Sequence, residues 1–110
     1  MTKFQWTRRV TSPVRVGDVT IGGDNPVVVQ SMTTTSTNDT IGSAEQARRI
    51  VEAGGEMVRL TTQGVREAEN LSEIKRALDS MSVKVPLVAD VHFNPRAAFA
   101  AAERVEKVRI

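Results

Sequence analysis

Apolar residues recur along this chain in two rhythms, one of period two and one of spacings three and four, and their alternation predicts an α/β fold. Val14, Val16, Val19 and Ile21 flank Gly17-Asp18 in two short extended runs, which predicts a small β-hairpin over Pro13 to Ile21. Gly22-Gly23-Asp24-Asn25-Pro26 interrupts the chain, and Val27 to Met32 follows as a run too apolar for a strand with one wet face. A buried parallel strand is expected there. After the hydroxyl-rich loop from Thr33 to Asp39, Ala44, Ala47, Ile50 and Val51 share a helical stripe that ends at Gly54-Gly55. A helix is expected from Thr40 or Ser43 to Ala53. Met57 to Thr61 reads as a second strand. Ala68, Leu71, Ile74, Leu78 and Met81 then mark an amphipathic helix over about Arg66 to Ser80. Val85 to Phe93 reads as a third strand. Asn94-Pro95 supplies a cap and a proline at the first helical position, opening an alanine-rich helix to about Arg104. Lys107 to Ile110 begins a fourth strand.

Strand and helix alternate with short connections, which argues for a parallel sheet with right-handed crossovers. An open doubly wound sheet and a closed barrel both fit that order. The stretch Gln30 to Thr35 lacks the G-x-G-x-x-G turn of a dinucleotide-binding sheet, and this favours the barrel. A complete eight-stranded barrel needs roughly 250 residues, and this chain has 110. The expectation is therefore the first half of a (β/α)8 TIM-type barrel preceded by a small N-terminal β-hairpin. Residues 1–24 would be tail and hairpin, and residues 25–110 would carry barrel strands one to four.

Composition narrows the function classes. Apolar content of 40% with 25% charged residues is that of an ordinary globular chain, and no apolar run is long enough to span a bilayer, so no membrane role is expected. The segment Met1 to Arg9 is basic but has no apolar stretch or cleavage pattern behind it, as in the polar tail of a cytoplasmic protein. Fifteen basic and thirteen acidic residues leave a net charge of only +2, spread along the chain, which gives no support to a nucleic-acid partner. There is no cysteine. Disulfides, thiolate metal sites, cysteine nucleophiles and cysteine-ligated clusters are thus excluded within these residues, and no metal site is expected.

The candidate chemistry lies inside the strands. Side-chain alternation puts Gln30 with Met32, Met57 with Arg59 and Thr61, and Val88 with Asp90 and His92, each set on one face. The sets turn polar toward the C-terminal ends of the strands, where α/β barrels build their sites. Gln30, Arg59, Asp90, His92 and Arg109 are the candidates for lining one mouth and binding substrate, and none is assigned a catalytic step. Arg59, Asp90, His92 and Arg109 also have structural readings. Arg59 and Asp90 would then be a sealing salt bridge, His92 a backbone-bonded histidine, and Arg109 a solvated end-of-chain residue. Thr33 to Thr40 reads as capping and turn chemistry. Arg48-Arg49 and Lys75-Arg76 read as solvated outer helix faces.

Three strings carry a family resemblance. Val14 to Gly23, Val29-Gln30-Ser31-Met32-Thr33 and Pro86 to Phe93, followed by Lys107 to Ile110, resemble 4-hydroxy-3-methylbut-2-enyl diphosphate synthase, in order from about residue 9 onward. The resemblance implies a reductive ring opening of 2-C-methyl-D-erythritol 2,4-cyclodiphosphate in non-mevalonate isoprenoid biosynthesis. In that reading a barrel holds the diphosphate and a separate domain carries a 4Fe-4S cluster. It implies Arg59 and Arg109 as diphosphate ligands, with Asp90 and His92 as polar residues beside them, and Arg96 falls where some members also carry an arginine. It further implies a flavodoxin or ferredoxin electron donor and a homodimer. The family's three cluster-binding cysteines and glutamate are not matched in this chain, so these residues alone are expected to bind no cluster and to show no turnover. Thr61-Thr62-Gln63-Gly64-Val65 and Glu69-Asn70-Leu71 resemble the longer form of the enzyme, which has an inserted domain. Two other classes remain open here, a pterin-binding barrel like dihydropteroate synthase and a non-catalytic half-barrel that dimerises through its open edges.

Overall fold

A computed structural model describes residues 9–110; apart from Arg9, the expected N-terminal tail lies outside them. Strands β1 (Val14–Val16) and β2 (Val19–Ile21) form the expected antiparallel hairpin, with Val16 opposite Val19. Gly17 makes the turn at a φ of +59°, a left-handed conformation that a side chain would strain. Next come β3 (Gln30–Met32), α1 (Thr40–Glu52), β4 (Met57–Thr62), α2 (Val65–Ser80), β5 (Leu87–Val91), α3 (Pro95–Ala102) and β6 (Lys107–Arg109). The last four strands form one parallel sheet in the order β3-β4-β5-β6. This is the strand-helix order of the first half of an α/β barrel.

The sheet divides two kinds of packing. Its outer face turns Val58, Leu60, Leu87, Ala89 and Val91 toward Ala44 and Ala47 of α1, Leu71, Ile74 and Leu78 of α2, and Ala97 and Ala101 of α3, all buried in one core. The spacing-three-and-four residues of α2 are thus the buried stripe that the periodicity implied. On the inner face a smaller cluster joins Val16 of the hairpin to Met57 and Val88, with Val19, Ile21 and Val28 packed against it. The hairpin therefore closes the N-terminal end of the sheet's inner face. The C-terminal end is left polar.

Two of the helices begin at side-chain caps, of which Asn94 is the one the sequence named. Asp39 accepts from the amide of Gly42 at the start of α1, and Asn94 accepts from Ala97 at the start of α3, with Pro95 at the first helical position. The α3 helix ends at Ala102, short of the expected Arg104.

The first sheet strand departs from expectation. Only Gln30–Met32 pairs as β3, and it is an exposed edge strand, not a buried one. Only β4 pairs with it, while Val28 turns inward onto the hairpin cluster and Val27 and Val29 stay exposed. The third strand is also shorter than Val85 to Phe93. Phe93 adopts a φ of +55°, which ends the extended backbone, so His92 stands just past β5.

Candidate functional site

Strand register turns the sequence candidates into rows across the inner face. Parallel partners share a face, so one row holds Met32, Arg59, Val88 and Lys107, and the next, nearer the C-terminal ends, holds Thr61, Asp90 and Arg109. His92 follows Asp90 at the mouth. Four of the five predicted residues are thus brought together: Arg59, Asp90, His92 and Arg109.

Gln30 is not among them. It pairs with Met57, two residues below Arg59 and four below Thr61, at the hairpin end of the face, about 13 Å from the Asp90 row at the usual strand rise. Its surroundings are an open cleft of about 630 Å³ whose lining includes Gly22, Gly23, Val28, Met57 and Lys107. Alternation alone assigns a face but no level, and this is why the sequence grouped Gln30 with the others. Arg96 is exposed in the first turn of α3.

Asp90 organises the cluster. Its side chain is only 6% exposed, and Oδ1 accepts a hydrogen bond from Arg109 Nη1 at 2.7 Å, while His92 Nε2 lies 3.3 Å from the same oxygen. Oδ2 faces Arg59 Nε at 3.7 Å, beyond hydrogen-bonding range. Burial pushes the Asp90 carboxyl upward, but the hydrogen bond and charge of Arg109, followed by those of His92, outweigh it and hold the group below the ordinary carboxylate value. Asp90 is therefore an anion at neutral pH, and one carboxylate faces two guanidinium groups.

Arg59 is incompletely satisfied. Its Nε is buried and lacks a hydrogen-bond partner, while its Nη2 donates to the thioether Sδ of Met32 at 3.3 Å. A buried donor without an acceptor is costly, and an oxyanion is the partner that fits a guanidinium best. The sealing-bridge reading of Arg59 and Asp90 is only half realised, since their separation keeps the charge attraction without the hydrogen bond.

Met32 and Thr61 also stand on this face, beside the five candidates. Alternation places both on the working face, but neither carries a charge to single it out. Thr61 is also held from behind: its carbonyl accepts from the Thr37 hydroxyl, whose own carbonyl accepts from Asn70 Nδ2. The Thr33 to Thr40 loop is secured further by Gln46, which accepts from the amides of Thr34 and Thr35, and by Ser43, which bonds Ser36. The expected turn chemistry is there, and it fixes the loop beside the mouth. Lys75 departs from the solvated helix face expected of it. It is half-buried and paired with Glu106, because α2 packs it beside the loop into β6, whereas Arg76 remains exposed as expected.

Comparison with known proteins identifies the family of the fold. Residues 11–110 match the family described as the GcpE TIM-barrel domain. Over all 110 residues the chain is 61% identical to 4-hydroxy-3-methylbut-2-en-1-yl diphosphate synthase (flavodoxin) of Bacteroides thetaiotaomicron, covering 18% of that protein. It is 54% identical over the same length to the protein of that name from Parabacteroides distasonis, again covering 18%. With the Leptospira interrogans protein it shares 50% identity over 109 residues, 99% of this chain and 16% of the relative. The chain thus spans less than a fifth of the length of these curated relatives.

Proposed function

Because the chain belongs to the GcpE TIM-barrel domain family, we propose that it is the diphosphate-holding part of an enzyme that opens 2-C-methyl-D-erythritol 2,4-cyclodiphosphate to 4-hydroxy-3-methylbut-2-enyl diphosphate. The observation that carries this reading is the buried Nε of Arg59, which has no acceptor and stands in the inner-face cluster with Arg109 and Asp90. Two guanidinium forks facing one carboxylate leave a net positive site. A diphosphate supplies the missing acceptors and charge. Asp90, held as an anion, accepts from substrate hydroxyls, and His92, 51% exposed at the mouth, donates toward the ring. Gln30, at the other end of the face, is left out of this set. The relatives' shared name and the family match favour this reading over a pterin-binding barrel or a non-catalytic half-barrel.

The electron donor in this reading is flavodoxin, which the relatives' names carry in parentheses. Electron transfer in the complete protein would run through a 4Fe-4S cluster, but this chain has no cysteine and its described residues contain no metal-binding group, so its residues do not fit that cluster. The role left to them is to bind and orient the substrate. The reading includes the longer form with an inserted domain, a homodimer, and a cytoplasmic setting; among the described residues no helix is long and apolar enough to cross a membrane.

The test is calorimetric titration of the full-length protein with the cyclic diphosphate. Arg59→Met keeps the apolar stem and removes the fork, so affinity is expected to fall by about 1.5 to 3 kcal/mol, the worth of a hydrogen bond to a charged group. The melting temperature should hold. A variant that binds as tightly as wild type but melts well below it would show that Arg59 is a structural staple.

A further inference from the structure

The acceptor that Arg59 does have is an unusual one. Met32 lies directly beside it across the parallel β3–β4 pair, and its Sδ accepts from Nη2 at 3.3 Å. A thioether is a weak, polarizable acceptor that carries no charge. The nearby carboxylate does not capture the fork. Asp90 Oδ1 is engaged by Arg109 and approached by His92, and Oδ2 stays 3.7 Å from Arg59 Nε. The guanidinium is therefore aimed by a neutral atom while its charge remains available and its Nε lacks a partner.

We propose that Met32 is a positioning residue, whose sulfur holds the Arg59 guanidinium in the orientation that receives a diphosphate. This rests on the reading of Arg59 as a diphosphate ligand. A leucine at position 32 would fill the space without directing Nη2, leaving a flexible side chain to be ordered at each binding event. A carboxylate there would aim the fork and also neutralise it. The thioether directs the arginine without competing for the ligand, and preorganisation of this kind acts on affinity without adding a contact to the ligand.

A double-mutant cycle on the full-length protein tests this, with inorganic pyrophosphate as the titrant. Met32→Leu conserves volume, and its affinity is expected to fall by about two- to tenfold, the range for one ordinary hydrogen bond, because the thioether is a weak acceptor even for a charged donor. Met32→Gln, which restores an acceptor at similar size, should recover most of the loss. In the Arg59→Met background the Met32→Leu change should have no further effect, because a positioning residue acts only through the side chain it positions. An equal loss in both backgrounds, or no loss in either, overturns the role given to Met32 while leaving Arg59 as a ligand. If Arg59→Met itself binds pyrophosphate as tightly as wild type, the diphosphate reading falls and Met32 with it.

Discussion

Asp90 is the residue on which the site's electrostatics turn, because it is almost fully buried and yet ionised. Burial raises its carboxyl, and Arg109 and then His92 lower it further than burial raises it, so the folded value lies below the unfolded one. A group shifted in that direction adds stability above its unfolded pKa of about 3.9, and the contribution is lost as pH falls through the lower folded value. The groups facing it are Arg59, Arg109 and His92. Asp90→Asn is accordingly expected to be about 1 to 3 kcal/mol less stable than wild type at pH 7, the usual cost of losing a charged hydrogen-bond partner. That gap should narrow as the pH falls through the carboxylate range toward pH 3. Urea unfolding at both pH values measures it, and a gap that stays constant would mean that Asp90 contributes by packing and not by charge. The alternation of Val88, Asp90 and His92 was enough to find this residue. Alternation gave no warning that Gln30 sits at another level, since register with β4 is a tertiary quantity.

At the scale of elements, those with their own local signals were legible and those that depend on neighbours were not. The α2 helix declared itself through its apolar stripe, α3 through Asn94-Pro95, and the hairpin through Gly17-Asp18. The Val27 to Met32 run misled because its apolar content implied burial on both faces. In the structure Val28 serves the hairpin cluster, and Val27 and Val29 are exposed. The hairpin docks through the Val16 cluster, and its turn approaches the sheet closely at Gly17. A Cβ at Gly17 would stand 3.2 Å from the Pro86 ring, and the φ of +59° disfavours any side chain there. Gly17→Ala is expected to cost about 1 to 2 kcal/mol for the left-handed conformation alone. Thermal unfolding measures the loss. Because Gly17 faces Pro86 and Glu106, which precede β5 and β6 at the N-terminal ends of the strands, pyrophosphate affinity of the folded variant should be unchanged, and a large loss of affinity would contradict the separation of that turn from the site.

At the scale of the whole molecule, the sheet has helices on its outer face and the charged cluster around Asp90 on its inner one, but its described residues leave β3 and β6 as edges with one neighbour each. Ile110 and Val29 are exposed beside those edges. The proposed function thus divides into two tasks. Holding an anion needs only side chains that the four parallel strands already bring together, whereas holding an iron–sulfur cluster needs thiolates, and the chain has none. A polypeptide of residues 1–110 is therefore expected to take up no stoichiometric cluster and to show no synthase turnover. Anaerobic reconstitution with iron and sulfide, followed by absorbance and electron paramagnetic resonance, reads the first expectation. Its unpaired strand edges should also make that polypeptide associate as its concentration rises, which sedimentation velocity would detect, and the protein at the length of its relatives should not show the same edge-driven association. A cluster bound at one per chain would be decisive against the assignment, because it would require ligands of a chemistry absent from these residues. Monomeric behaviour across the concentration range would instead show that the edges are protected within the 110 residues themselves.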